Sequence, residues 1–406
     1  MKNWLKHIIY FPLFFFLMYM GPRIYLGPVK FIIIWKLIIL FILILLILKK
    51  GRKINWFIRL GYLYALKMWI SIGALMYISD TIDAFSKFLV LPVVAHYSLN
   101  IITKENLVKF FNFLQYLSIY IILSSIPFLF HLLEPNSKGY DFEKYGSEGY
   151  GFTGIFQNPH TAAILLSVSI LILFFFTLQT NNIDKKFFYV FLMLLGLYVE
   201  YKTYVRTGYS SLIAGWIFIG FKHQRFKTKV LMFVLALGMG AVATYLYEND
   251  TVLQMRLSDK NIYKTNVTEN DLGSGRVYIY KNNLKNYISS DFFDIIFGLG
   301  RERAKLMLKE KIGHALVSHS GFLDALVDNG VIGFLLFLVW LYSAYKTIKK
   351  STFSYFKPLA YGIFFSYVAV MLTQGGNKFF LDIIFSVVVI ISFSFSERKS
   401  CINYYK

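Results

Sequence analysis

Long, uninterrupted apolar runs recur along this chain, and they fix the solvent in which it folds. Phe31 to Leu48, Val230 to Tyr247 and Val331 to Tyr345 each come close to or exceed the length that spans a hydrocarbon core. That core is ~30 Å thick, and a helix rises ~1.5 Å per residue. A soluble domain buries one such helix but not about twelve. Apolar residues are 57% of the chain and charged residues 16%, whereas soluble domains average about 45–50% and about 25%. The excess and the deficit both point to lipid. The expected fold is all-α: a polytopic membrane protein with about 12 transmembrane helices.

The formal charge of +21 would suggest a nucleic-acid partner in a soluble protein. Here Lys and Arg gather in short loops between apolar spans, as the positive-inside rule expects. The partner is therefore the lipid bilayer, with no role for nucleic acid. The single cysteine, Cys401, excludes an intrachain disulfide and a cysteine metal site. Lys2 and Lys6 precede an apolar run broken by Pro12, and Met20-Gly21-Pro22-Arg23 reads as a helix end rather than a cleavage site.

Spans fall near 7–20, 28–48, 54–79, 84–103, 107–131, 154–178, 187–203, 207–221, 229–247, 329–347, 357–373 and 379–396. Basic loops alternate. One side holds Lys49, Lys50, Arg52 and Lys53; Lys104 and Lys109; Lys185 and Lys186; Lys222, Arg225, Lys227 and Lys229; Lys346, Lys349, Lys350 and Lys357; then Arg398, Lys399 and Lys406. Short loops opposite carry Asp80 and Asp83, or Glu134, Asp141, Glu143 and Glu148. This predicts cytoplasmic termini in the inner (cytoplasmic) membrane. It divides the chain into helices 1–9 (1–247), a large extracytoplasmic loop (248–328), and helices 10–12 with a tail (329–406).

The outer segment holds about half of the acidic residues, with roughly equal numbers of each sign. Its periodicity predicts a helix from Ser274 to Tyr287, with Ser274 as a cap, and a second, amphipathic one from Arg301 to Lys311. A smaller outer loop, 132–153, is rich in Gly and Tyr.

Within this frame a few polar residues stand out. Arg206 falls between two apolar spans, where a guanidinium costs at least ~2.5 kcal/mol unless it faces a partner or a wet cavity. It is either a snorkelling interfacial cation or an anion clamp whose planar fork matches phosphate oxygens. Arg276 stands at the first turn of the loop helix, where backbone N–H groups already favour an anion; the alternative is a solvated surface charge. His319, just before the chain re-enters the bilayer, has the side chain suited to proton transfer near neutrality, though an interfacial His is more often a hydrogen-bonding core residue. His314 and His160 carry the same two readings. Gly298-Leu299-Gly300 marks a turn or a close backbone approach to a ligand. Asp291 and Asp294 lack metal-site spacing, and no P-loop, nucleophile elbow or zinc-helix motif occurs.

Four stretches in order resemble the O-antigen ligase and Wzy-type polymerase superfamily. Gly154-Ile155-Phe156-Gln157-Asn158-Pro159-His160 is similar to the family's G-x-F-x-x-P-N entry to a helix. Arg206 is similar to its S-R element. Ser274-Gly275-Arg276, then Gly298-Leu299-Gly300, are similar to the S-G-R and G-x-G of the large outer loop. His319 to Gly333 is similar to its H-N-x-x-L-x-x-L-x-E-x-G-x-x-G stretch. His160 stands where the family tends to have Asn, Val205 where Ser is common, and Ser320 where Asn is common. The similarity covers residues 151–335.

The resemblance implies a GT-C-like membrane glycosyltransferase working on the outer face, with undecaprenyl-diphosphate-linked saccharides as donor and acceptor. It would polymerise repeat units of an O-antigen, capsule or exopolysaccharide, alongside a flippase and a chain-length regulator. No cofactor and no metal is implied. Arg206 and Arg276 would neutralise the leaving diphosphate, and His319 would be the base or would orient the acceptor. Asn158, His160, Gly298, Gly300 and Arg301 would complete the diphosphate and glycan site. A ligase of the same fold, passing finished glycan to a lipid or protein, fits nearly as well. A flippase fits less well, because no internal repeat relates the two halves. A scaffold gives no reason for Arg at helix junctions.

Overall fold

The computed structural model describes residues 2–27, 29–51, 53–71, 73, 76–103, 106–136, 151–222, 226–258, 275–313, 318–375 and 378–394. Ser274 and its capping role, His314, Cys401 and residues 137–150 of the smaller outer loop lie outside these. The described residues form helices joined by short turns, with one two-residue antiparallel pair, β1 (Tyr25–Leu26) and β2 (Val29–Lys30), in which Tyr25 faces Lys30.

The first group of helices is α1 (Lys2–Tyr19), α2 (Phe31–Lys50), α3 (Trp56–Lys67), α4 (Ile78–Ile101), α5 (Leu107–Leu123) and the short α6 (Ile126–Leu129). The second is α7 (Pro159–Gln179), α8 (Ile183–Thr203), α9 (Arg206–Lys222), α10 (Phe226–Asn249) and α11 (Thr251–Ser258). Three shorter helices follow, α12 (Arg276–Ile288), α13 (Phe292–Phe297) and α14 (Arg301–Ile312); then come α15 (Gly321–Lys350), α16 (Lys357–Thr373) and α17 (Phe379–Ser394). Among the described residues, five stretches are long and apolar enough to cross a membrane: Phe31–Lys49, Thr81–Ile101, Leu107–Leu129, Pro159–Gln179 and Gly321–Lys350. With the shorter apolar helices Ile9–Tyr19, Lys357–Thr373 and Phe379–Ser394, they make this a multi-pass membrane protein.

Two expected spans differ from the structure. The run 54–79 is helical only to Lys67, followed by a 3-10 turn at Met68–Ile70. Beyond it the chain gives way to the segment 275–313: Lys67 Nζ donates to the Phe297 carbonyl at 2.9 Å, and a side chain at Gly73 would collide with the Leu299 carbonyl. The span expected from 329 instead starts at Gly321 and bends at Gly330, whose φ of 68° and ψ of −176° are not helical.

Helix α7 is the axis of the bundle. Every side chain from Ala162 to Phe175 is buried, the pattern of a helix surrounded by other helices. Helices α5, α8, α9 and α16 flank it. Helix α9 meets α16 through small residues: Ser211 and Ser366 share a hydrogen bond of 2.6 Å, and a Cβ at Gly362 would lie 2.9 Å from the Gly215 carbonyl. Such residues let membrane helices approach closely where apolar burial gives little drive. A second knot centres on Trp340, which is fully buried and stacks on Phe57 with centroids 5.4 Å apart. Outward faces of α2 and α10 expose large apolar residues such as Phe41, Ile42, Phe233 and Leu237, as lipid-facing helices must.

Candidate functional site

The contacts along α9 and α16 define one end of the bundle. Pairing Ser211 with Ser366 and Gly215 with Gly362 sets the two helices antiparallel, so the start of α9 at Arg206 lies level with the end of α16 at Thr373. Helix α7 runs parallel to α9: Ala163 meets Gly208, and Leu171 meets Gly215. The first turns of α7 and α9 therefore share that end. Gly321, at the start of α15, lies against Met371 and joins them there.

Arg206 opens α9 and is half-buried. Its backbone is pinned from below. Ser167 Oγ stands 2.7 Å from Glu200 Oε1 and 2.9 Å from the Gly208 carbonyl. Tyr204, at φ 53°, turns the chain from α8 into α9. Asn158 is the N-cap of α7, its Oδ1 accepting from the Thr161 amide at 2.8 Å, and His160 lies in the first turn of that helix. These three residues form the α7–α9 side of the end.

Arg276 opens α12 behind Gly275, which adopts the left-handed φ of 79°. Its guanidinium donates to the Thr373 carbonyl, and also to Gln374 Oε1 at 3.2 Å. A loop cation is thereby held against the end of a membrane helix. Its positive charge acts on His319, as does that of Lys378.

The His319 backbone is held from several directions at once. It has φ 56°, an unusual conformation for a non-glycine residue. Tyr280 OH donates to its carbonyl at 3.1 Å. Ser318 Oγ bonds Asp324, and Ser320 caps α15 by accepting from the Leu323 amide at 3.4 Å. Nδ1 of the ring is buried with no hydrogen-bond partner among the described residues. Desolvation, then Arg276 and Lys378, depresses the imidazole pKa below its ordinary 6.5. The ring is thus neutral near pH 7, with a nitrogen free to take a proton.

Arg301 opens α14 and lines a cleft with Asp324 and Asp328 of α15. Gly298 and Gly300 hold α14 there through their main chains. The Leu299 amide donates to the Val327 carbonyl at 2.9 Å, and Gly300 donates to that of Asp328 at 3.0 Å. The bend at Gly330 has freed these carbonyls from the helical ladder. Gly298 (φ 91°) and Gly330 touch directly: a Cβ on Gly330 would lie 2.5 Å from the Gly298 amide.

The structure therefore brings Arg276, His319 and Arg301 around the start of α15, and sets Arg206, Asn158 and His160 on the α7–α9 side of the same end. Residues 188–338 match a protein-family model described as O-antigen ligase. This segment is similar to the O-antigen ligase family. No curated protein matches the chain significantly. The matched segment runs from α8 into α15 and holds Arg206, Arg276, Gly298, Gly300, Arg301 and His319, while Asn158 and His160 precede it.

Sequence reasoning passed over Lys378, Asp324 and Asp328. Lys378 stands just before the apolar run of α17, a lone cation at a span boundary that could have been marked. Desolvation pushes its ammonium down to about 8, with Lys87 and Arg301 adding to the shift and Asp382 opposing it. Among the described residues, no three His, Cys, Asp or Glu side chains are grouped to share a metal ion.

Proposed function

We propose that this protein joins lipid-linked oligosaccharide repeat units into a surface polysaccharide, on the outer face of the cytoplasmic membrane and within a GT-C-like fold. The donor is a saccharide on undecaprenyl diphosphate and the acceptor a second such unit. The acceptor hydroxyl attacks the anomeric carbon of the donor. The bond to diphosphate breaks, its electron pair leaves with the diphosphate oxygen, and the hydroxyl proton passes to His319. The configuration inverts. Arg206 and Arg276 offset the charge growing on the leaving diphosphate, the role a metal ion fills in other transferases. An apolar groove between helices takes the polyprenyl tail.

The observation that carries this reading is a buried His319, its Nδ1 without a hydrogen-bond partner among the described residues, under the charge of Arg276 and inside the segment that matches the O-antigen ligase model. The basic loops argue for the orientation, with the segment 248–328 outside. The test replaces His319 or Arg276 with Ala and runs the surface glycan on a gel. Loss of the chain-length ladder, at normal protein levels, is expected; an unchanged ladder removes the assigned roles.

The family's description as ligase favours a second reading, transfer of finished glycan to a lipid or protein. A deletion strain separates the two. Single repeat units left on the final acceptor mark a polymerase, and a bare acceptor marks a ligase.

A further inference from the structure

Close to Arg206 the three helices α7, α8 and α9 meet on a single hydroxyl. Ser167 Oγ of α7 lies 2.8 Å from the Ala163 carbonyl of its own helix. It also lies 2.7 Å from Glu200 Oε1 of α8 and 2.9 Å from the Gly208 carbonyl of α9. The glycine makes this approach possible, because a Cβ at 208 would stand 2.7 Å from Ala163 Cβ and 3.0 Å from Glu200 Oε1. Glu200 is only 1% exposed, so water cannot solvate its carboxyl. Its Oε2 is buried with no hydrogen-bond partner, and no ion pair joins it among the described residues.

That setting is hostile to an ionised carboxylate. A buried charge needs a cation or several donors, and Ser167 offers Glu200 one hydroxyl. The neutral acid fits the same distances better. A protonated carboxyl has an O–H to give, and a hydroxyl both donates and accepts. With the acid donating to Ser167 Oγ, the serine hydrogen is released for the Gly208 carbonyl, and α8, α7 and α9 are joined in one chain of donors. With Glu200 ionised, the carboxylate would claim that single hydrogen, and the link from α7 to α9 would be lost. Gly208 stands two positions after Arg206. On the other side of Arg206, Thr203 Oγ1 donates to the Glu200 carbonyl at 2.6 Å and accepts from the Val205 amide at 3.3 Å. Residue 200 thus anchors the chain both before and after the guanidinium.

We propose that Glu200 is a positioning residue for Arg206, acting as a neutral carboxylic acid that donates to Ser167 so that Ser167 can hold the first turn of α9. The inference rests on the glycosyl-transfer reading, in which Arg206 offsets the charge of the leaving diphosphate, and adds the device that aims it. Glu200 itself touches no substrate. Its proton stays in place through the reaction, so its contribution is geometry rather than charge.

The test uses the full chain in nanodiscs, with undecaprenyl diphosphate binding read by native mass spectrometry. Glu200→Gln keeps a donor in the same place, so affinity should stay within about twofold of wild type. Glu200→Leu removes the donor and should weaken binding about five- to tenfold, the worth of one hydrogen bond. Arg206→Ala should weaken it as well, and adding Glu200→Leu to that variant should cost less than about twofold more. Infrared difference spectra of wild type against Glu200→Gln, near neutral pH, should show the carbonyl band of a protonated acid. A purely structural role would make Glu200→Leu cost as much without Arg206 as with it. The inference is overturned by that result, by Glu200→Gln failing as badly as Glu200→Leu, or by a spectrum that shows a carboxylate. Wild-type binding in Glu200→Leu, with Arg206→Ala impaired, removes the inference and spares the reading. Wild-type binding in Arg206→Ala removes the diphosphate role of Arg206, and the inference with it.

Discussion

Tyr280 reaches from α12 to donate its hydroxyl to the His319 carbonyl at 3.1 Å, so the helix that Arg276 opens also holds the backbone of His319. The contact orients without touching substrate. Tyr280→Phe should lower kcat by about two- to tenfold, the worth of one ordinary hydrogen bond, with KM little altered. Steady-state kinetics in detergent or nanodiscs reads this directly. An unaltered kcat would mean that Ser318 and Ser320 suffice to hold the turn.

The charge around His319 sets a pH dependence with a definite sign. Desolvation, Arg276 and Lys378 all lower its pKa, and only the neutral ring accepts a proton. The rate should therefore hold as pH falls to 6.5 and decline only below it, along the acid limb of kcat/KM. Lys378→Met removes one of the depressing charges, so that limb should move to higher pH. A limb that stays in place, or moves down, disconnects Lys378 from the ring.

Asn158 separates a structural role from a binding one. Its Oδ1 caps α7 at the Thr161 amide. Asn158→Ala should cost about 1 kcal/mol of stability, while Asn158→Ser should keep both stability and turnover. Thermal melts of the purified variants, run beside an activity assay, compare the two. If Asn158→Ser melts like the wild type yet loses turnover, the residue binds substrate as well.

The crossing of Gly298 and Gly330 leaves no space for a methyl group. Ala at Gly330 would meet the Ile296 carbonyl and the Gly298 amide, and Ala at Gly298 would meet the Asp328 carbonyl. Both positions also have positive φ, at 68° and 91°. Either substitution should destabilise the docked α13–α14 segment by about 2 kcal/mol or more and expose it to limited proteolysis. Digestion patterns matching the wild type would show that the main chains can part at little cost.

Much of this architecture is legible in the chain because lipid makes helices nearly obligatory. Apolar run lengths announce α2, α7 and α15, and a lone Arg at a span boundary announces Arg206. Helices α12 and α14 fall where their periodicity predicts. What the residues do not announce is contact across distance. Lys67, at the end of its helix, donates its Nζ to the carbonyl of Phe297, 230 positions later; no local pattern carries that. The bend at Gly330 is half-legible, as a glycine inside an apolar run, but its cause is the α13–α14 turn. Arg301 in α14, Asp328 in α15 and Lys378 just before α17 come from three separate places in the chain, so their joint chemistry appears only in three dimensions.

With the main chains of α13–α14 and α15 in direct contact at Gly298 and Gly330, the upper arm of α15 and the loop helix above it form one lever. Arg301, Asp328 and His319 all ride on that lever. Any tilt about the bend then carries these three side chains as a group and keeps their mutual alignment.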